Sequence, residues 1–318
     1  MLEQQCKLYY KQEETRNLIV KAFEKLFING HAAFIEDLSV EERAMFEEKE
    51  VQYYLPWRIA FSDSVTTPAR PVLDASSRTD FRADGSGGKS LNNLVCQGKI
   101  ESINLLKLIL GFRAGKFAVT GDLQQFYNSF KLNPAHWNLQ RFVYKENLNP
   151  YAETRMGILM TLIYGVGSVA IQTETGMKKV SKVVEEEKPD VSSLIENRMY
   201  VDDAGDSKAT EEERRQLVEN ADATFSLFNL KCKAWTYSGE DPDPKVSKDG
   251  VSIGVGGFKW FPKLDVFEVK IPKLHFGKKI RGRLKEGTEF FSGIPEEIND
   301  FVPKSLTRRM VTSKYASI

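Results

Sequence analysis

Two adjacent carboxylates constrain the fold of this 318-residue chain more than any other feature. They end the run Tyr200-Val201-Asp202-Asp203, which lies between two short strand-like segments and so predicts a β-hairpin with the acidic pair at its tip. Neighbouring carboxylates at a tight turn repel each other strongly unless a cation neutralises them. The pair therefore predicts a cation site, and an ordinary surface turn is the alternative.

A third carboxylate, Asp122, ends a predicted strand at residues 116–121. Because side chains alternate between the two faces of a strand, it can face a carboxylate at the tip of a neighbouring hairpin. Mg²⁺ prefers oxygen ligands and usually takes one or two protein carboxylates, which leaves room for phosphates. We predict that Asp122 and Asp202 form the metal-binding pair, with Asp203 pointing partly away and contributing less. This donor set indicates a two-metal phosphoryl-transfer site for Mg²⁺, with Mn²⁺ as a substitute.

Composition bounds the class of protein. The net charge of +1 argues against a uniformly basic nucleic-acid binder, but basic residues concentrate at residues 270–309. That cluster predicts either a phosphate-contacting flank or a solvated surface. Three cysteines and three histidines are scattered without the spacing of a disulfide framework or a zinc site, which favours a reducing compartment. We expect no signal peptide and no membrane span.

The order of predicted elements favours an α+β fold, in which helices cover one face of an antiparallel sheet and the other face stays open for substrate. Capping boxes begin helices at Ser39 and Thr210, and an apolar stripe over residues 169–184 predicts a core-packed helix. Further helices are predicted at residues 11–29, 100–112 and from 124–130, and strands at 57–62, 70–75, 116–121, 141–145, 154–159, 198–201, 204–208, 251–253, 258–261 and 266–271.

A series of short motifs occurs in a defined order along the chain. The motifs are Gly30-His31, Tyr54-Leu55-Pro56, Arg70-Pro71-Val72-Leu73-Asp74-Ala75-Ser76, Ser90-Leu91-Asn92, Phe112-Arg113, Asp122-Leu123-Gln124-Gln125-Phe126-Tyr127, Tyr164-Gly165-Val166-Gly167-Ser168, Tyr200-Val201-Asp202-Asp203, Phe228-Asn229-Leu230 through Trp235, Gly257-Phe258-Lys259-Trp260 and the segment 306–318. In this order they resemble the reverse transcriptases of LTR retroelements, in particular the BEL/Pao group.

The resemblance implies a right-hand polymerase with fingers and palm and with the thumb truncated or absent. The implied divisions are an N-terminal helical extension (1–50), fingers (51–115), a palm (116–245) with a fingers insertion at 131–160, and a primer-grip region with the start of the thumb (246–318). The implied activity is RNA-directed DNA polymerisation, in which a primer is extended with deoxynucleoside triphosphates on an RNA or DNA template. Other domains of a pol polyprotein are the implied partners, in cytoplasmic virus-like particles or in the nucleus.

The resemblance also assigns roles around the predicted metal site. Arg70 is expected to clamp the triphosphate, with Asp74 holding it in place. Tyr127 is expected to pack under the sugar and exclude a 2′-hydroxyl, and Tyr164 and Gly165 to contact template and nucleotide.

Two further groups complete the assignment. Lys231 or Lys233 is expected to protonate the leaving pyrophosphate, and the sequence does not choose between them. Gly257, Phe258 and Trp260 are expected to form the primer grip. Residues 61–69 hold no lysine or arginine, so the triphosphate contact is expected to rest on Arg70 alone.

Two other functions remain open on the sequence. One is a non-catalytic nucleic-acid-binding or scaffold subunit that keeps the fold without turnover. The other is an RNA-dependent RNA polymerase, which Tyr127 disfavours.

Overall fold

The structure, a computed structural model, describes residues 2–46, 51–62, 67–78, 88–99 and 105–268. The predicted basic flank at 270–309, the motif at 306–318, the first residues of the predicted helix 100–112 and the end of the predicted strand 266–271 lie outside these ranges.

Within these ranges the helices are α1 (Leu2–Tyr9), α2 (Glu13–Ile28), α3 (Val40–Ala44), α4 (Leu91–Leu94), α5 (Leu105–Phe112), α6 (Val169–Val184), α7 (Pro189–Arg198) and α8 (Glu211–Leu227). The strands are β1 (Ala32–Phe34), β2 (Trp57–Phe61), β3 (Ala69–Leu73), β4 (Phe117–Leu123), β5 (Arg141–Lys145), β6 (Thr154–Leu159), β7 (Met199–Tyr200), β8 (Asp203–Lys208), β9 (Cys232–Tyr237), β10 (Ile253–Val255), β11 (Phe258–Phe261) and β12 (Val266–Glu268). The predicted α+β class with antiparallel sheets is confirmed.

The largest sheet in the described residues has four antiparallel strands in the order β7-β8-β4-β9. Along β4, Val119 and Leu123 are buried in one hydrophobic core with residues of α6, α7 and α8. The apolar stripe predicted for α6 is part of this core, since Met177, Val180 and Val184 are all buried there. The helices therefore back one face of the sheet, as predicted.

The opposite face is only partly open. Ala118 belongs to a separate core with Phe112 of α5 and Trp260 of β11, and Thr120 is only 4% exposed. Helix α5 and the three-stranded sheet β10-β11-β12 thus cover the first half of β4. The prediction of a wholly open face was wrong there, while Asp122, at the other end of the strand, is half-buried.

The N-terminal residues share a core with the strands that follow them. Phe23 of α2 is 1% exposed and packs against Trp57 of β2, with ring centroids 5.0 Å apart, and against Tyr144 of β5 at 4.8 Å. Strand β1 adds to the sheet β1-β6-β5. A division at residue 50 therefore does not separate two hydrophobic cores.

Several local predictions are confirmed. Ser39 and Thr210 each form a reciprocal capping box, and β5 and β6 have the predicted bounds. The predicted α-helix from residues 124–130 is wrong: a 3₁₀ turn, Phe126–Ser129, follows Gln125, whose φ of +51° is left-handed and stops a regular helix from starting there. None of the helices in the described ranges combines the length and apolar character that a bilayer span requires.

Candidate active site

The antiparallel ladder between β4 and β8 brings the candidate carboxylates together. Asp122 is the register partner of Asp203, so their side chains leave the sheet on the same face. Asp202 occupies the hairpin tip, and its carbonyl oxygen accepts a hydrogen bond from the backbone N–H of Leu123 at 2.9 Å. Two carboxylates on neighbouring strands and a third at the hairpin tip therefore lie at one end of the sheet.

The pKa shifts show that these carboxylates share an unfavourable environment. Burial raises the pKa of Asp203 to about 7, with further contributions from the charges of Asp202 and Asp122. Burial also raises the pKa of Asp122 and of Asp202, and the charge of Asp202 acts on Asp122. Asp203, which was predicted to contribute less to the metal site, is therefore the carboxylate whose pKa is raised by the charges of both others. A divalent cation would relieve this repulsion.

The donor set suits magnesium but forms no closed cage. Among the described residues, no group of three or more His, Cys, Asp or Glu side chains is arranged to enclose a metal ion. Magnesium generally binds through one or two carboxylates and completes its shell with water and substrate phosphates. Because all three side chains offer hard oxygen ligands and repel one another without a cation, Asp122, Asp202 and Asp203 fit such an open site.

Arg70 contributes positive charge to the site from β3. Its charge lowers the pKa of Asp122 and of Asp202, so the guanidinium is close enough to act on both carboxylates, and the residue is exposed. Asp74 does not hold it: the Asp74 carboxylate pairs instead with Arg58, at 3.3 Å. The strand ends at Leu73, so the alternation that predicted a shared face stops one residue too early.

Two tyrosines stand beside the carboxylates. The rings of Tyr127 and Tyr164 meet edge to face, with centroids 4.5 Å apart. Burial, and then the charge of Asp202, raises the pKa of Tyr127, and the same two causes raise that of Tyr164 to about 12. Both phenols therefore stay protonated near neutral pH and can donate hydrogen bonds.

Gly165 allows the turn after Tyr164 to approach β3. Its φ is +101°, and a Cβ there would lie 2.4 Å from the carbonyl oxygen of Leu73. A side chain at this position is thus disfavoured both by the backbone conformation and by the space.

Asn92 holds the same turn, although sequence reasoning gave it no role. Its Nδ2 donates to the Gly165 carbonyl at 2.9 Å and to Ser76 Oγ at 3.0 Å, and its Oδ1 accepts from the Gly167 N–H at 2.7 Å. The signal available in the sequence was its place in the motif Ser90-Leu91-Asn92. Asn92 therefore ties the tyrosine-bearing turn to the segment after β3.

Of the two candidate lysines, Lys233 is the one whose charge reaches the site. It lies half-buried on β9 and lowers the pKa of Asp122. Lys231 is exposed just before β9, and its backbone carbonyl accepts a hydrogen bond from Gln124 at 2.7 Å. The electrostatic contact favours Lys233.

The predicted primer-grip residues divide into two groups. Gly257 is exposed at the β10–β11 turn, and the backbone of its neighbour Gly256 acts to lower the pKa of Asp203. Trp260 is 0% exposed, stacks edge to face on Phe112 at 4.9 Å and donates from Nε1 to Asp265 at 3.1 Å. Trp260 is therefore a core anchor of this sheet rather than a surface contact.

Phe258, the third predicted primer-grip residue, is partly buried. It packs against the core that contains Trp260 and Phe112. Only the glycine turn of this group thus lies open beside the carboxylates.

A buried ion cluster supports the hairpin from behind. Asp206, 6% exposed, binds Arg198 of α7 at 3.2 Å and Lys208 at 2.8 Å. Sequence reasoning did not identify these residues, because their pairing depends on how α7 packs on β8. They fix the strand that carries Asp203.

The N-terminal segment also reaches the site. Gln125, three residues after Asp122, has its Oε1 3.3 Å from Asn29 Nδ2 and 3.4 Å from the His31 ring nitrogen Nε2. The Gly30-His31 motif therefore contacts the turn that follows the first candidate carboxylate.

Comparisons with known proteins add no family to this description. No protein-family model matches the chain, and no curated protein is significantly similar to it.

Proposed function

We propose that this protein is an RNA-directed DNA polymerase with a right-hand fingers and palm arrangement, which extends a primer with deoxynucleotides. The observation that carries the proposal is the pairing of Asp122 with Asp203 across β4 and β8, beside Asp202 at the hairpin tip. The mutual effect of these carboxylates on their pKa values supports it, because a polymerase needs such a site for its metal ions. The order of motifs that resembles BEL/Pao reverse transcriptases supplies the class of reaction.

Asp122, Asp202 and Asp203 would hold Mg²⁺, which in such sites activates the attacking hydroxyl and neutralises the leaving pyrophosphate. Other side chains of this protein bind the substrate and supply the proton. Arg70 is exposed, is close enough to act on the carboxylates and binds the triphosphate through its planar fork of donors.

Two further groups complete the proposed mechanism. Lys233, close enough to Asp122 to lower its pKa, provides a proton for the departing pyrophosphate. Tyr127, held edge to face by Tyr164, packs under the sugar and leaves no room for a 2′-hydroxyl. Asn92 and Gly165 keep the Tyr164 turn against β3.

The proposed partners follow from the activity. A template–primer duplex lies over the carboxylate end of the sheet and is held by its backbone and shape rather than by its sequence. Other domains of a pol polyprotein act with this chain, in cytoplasmic virus-like particles or in the nucleus.

Primer extension on a primed RNA template tests the proposal directly. The wild type is expected to incorporate deoxynucleotides in the presence of Mg²⁺, whereas Asp122→Asn and Asp202→Asn lower the rate by about a thousandfold or more. Asp37→Asn is a matched control, since Asp37 is an exposed residue that pairs with Arg155 outside the site. Normal activity in either active-site variant would refute the two-metal assignment.

The same assay separates the competing functions. A non-catalytic nucleic-acid-binding subunit would bind the duplex in a salt-sensitive way without extension, and Asp202→Asn would leave that binding unchanged. Tyr127→Val is expected to admit ribonucleotides if the ring is the sugar gate. Unchanged selectivity for deoxynucleotides would indicate that Tyr127 is an ordinary core residue. Efficient ribonucleotide incorporation by the wild type would indicate an RNA polymerase instead.

A further inference from the structure

A cavity lies beside the carboxylates and shares Tyr127, the proposed sugar gate, with the proposed reaction site. Its volume is about 760 Å³, and it opens between α6, α7 and the hairpin tip. Tyr127 and Val201, which flank the carboxylates, form part of its wall. A molecule in this cavity would therefore lie against residues that neighbour the candidate carboxylates.

The floor of the cavity is apolar and buried. Phe126, Met177, Ile195 and Met199 line it, and each is at most 8% exposed. A volume between about 300 and 1,000 Å³ with such a lining is typical of sites for small molecules. A single strand of nucleic acid would instead need exposed aromatic faces on which bases stack. The two aromatic rings that line the cavity are Phe126, which is 2% exposed, and Tyr127, whose ring packs edge to face on Tyr164.

The rim of the cavity carries excess positive charge. Four lysines line it, Lys107, Lys178, Lys179 and Lys182, against the two glutamates Glu174 and Glu196. Lys178 is engaged with Glu174 at 3.1 Å, and Lys107 with Asn197 at 3.0 Å. Within the described part of the chain, Lys179 and Lys182 form no ion pair, and their spacing places both on one side of α6.

We propose that this cavity binds a small amphipathic anion, with an apolar ring system on the buried floor and one acidic group at Lys179 and Lys182. The floor supplies the apolar contact and the lysines supply the charge complementarity. Binding is independent of the proposed polymerase activity.

The effect on the active site does rest on the proposed function. Val201 has a φ of +60°, a left-handed conformation that is unfavourable for a β-branched residue. A ligand packed against Val201 changes how easily the tip keeps this conformation, and by linkage the active-site ligands change the affinity of the cavity. We expect the anion to inhibit primer extension, both through this tip and through Tyr127, which lines the cavity and is the proposed sugar gate.

The binding test uses the fluorescence of anilinonaphthalene sulfonate on the full chain, with neutral phenylnaphthylamine as the matched apolar probe. Lys179→Glu combined with Lys182→Glu is expected to weaken sulfonate binding by about tenfold and to leave the neutral probe unchanged. Lys11→Glu combined with Lys21→Glu, on exposed lysines outside the cavity, is the charge-matched control and should change neither.

A second variant tests where the probes bind by blocking the cavity. Thr175→Trp places a large ring at the exposed rim and should exclude both probes. Equal sulfonate affinity in the wild type and the Lys179/Lys182 double variant would overturn the proposal, as would an equal loss in the control. Displacement of the dye by oligothymidylate, with loss of oligonucleotide binding in the same double variant, would identify a nucleic-acid track and also overturn it.

Discussion

Replacing Asp203 by asparagine is expected to stabilise the metal-free protein while abolishing primer extension. Asparagine keeps the size of the side chain and one oxygen that can accept a hydrogen bond. It removes the charge that Asp122 and Asp202 repel. A substitution that raises stability and removes activity is the expected behaviour of a site whose charges are held together for function.

The magnitude follows from the pKa of Asp203, which burial raises from 3.8 to about 7. Between these two values the folded state binds more protons than the unfolded state, so the free energy of unfolding falls as pH rises through this window. At about 1.36 kcal/mol per pKa unit, and relative to a side chain that does not titrate, the carboxyl lowers the free energy of unfolding by about 1.6 kcal/mol near pH 5, where it is protonated in the folded state and ionised in the unfolded state, and by about 4 kcal/mol near pH 8. The stability of Asp203→Asn relative to the wild type should therefore increase by about 2.5 kcal/mol from the lower to the higher pH.

Urea unfolding in the presence of a chelator, at about pH 5 and about pH 8, measures this difference. Added Mg²⁺ should stabilise the wild type most at the higher pH and act less on the variant, because fewer carboxylates remain to bind it. Asp37→Asn should show no such pH dependence, since its carboxylate is exposed and lies outside the site. An Asp203→Asn variant that is no more stable than the wild type at the higher pH would refute the reasoning.

Three further substitutions test the surrounding structure. Asn92→Asp can keep the hydrogen bond from Gly167 and can accept one from the Ser76 hydroxyl, but it leaves the Gly165 carbonyl without its donor. It should lower the free energy of unfolding by about 1–3 kcal/mol in urea titrations, with Asn17→Asp, on the exposed face of α2, as the charge-matched control. Gly165→Ala should lower the free energy of unfolding by about 2 kcal/mol or more and raise the KM for the deoxynucleotide, because its Cβ would meet the Leu73 carbonyl. An unchanged KM would contradict the role of the turn. Thr210→Ala should cost about 1 kcal/mol of stability through its capping box and leave the KM unchanged, which calorimetry and primer extension together check.

Elements whose signals are local could be predicted from the sequence. The capping boxes at Ser39 and Thr210 depend on residues three positions apart, and both form. The alternation in β5 and the stripe along α6 likewise depend on short-range periodicity. Helix α7 was not predicted, although Pro189 at its first turn is a helix-start signal.

Features that depend on tertiary contacts could not be predicted in the same way. The choice of Arg58 as the partner of Asp74 follows from where β3 ends and how β2 pairs with it. Trp260 is buried because α5 supplies Phe112 on the opposite side. By contrast, the approach of Asp122 to Asp203 depends only on two strand ends lying side by side. The structure has that arrangement.

The backbone conformation at the hairpin tip bears on whether the Asp202-Asp203 pair marks an ordinary turn. Two-residue hairpin turns that need a positive φ usually place glycine, asparagine or aspartate there. Here the left-handed residue is Val201, a β-branched residue for which this conformation is unfavourable. Gln125, close to Asp122, is also left-handed. Backbone strain of this kind persists where the surrounding structure enforces it, so the strained valine at the tip supports the proposed site over a simple turn.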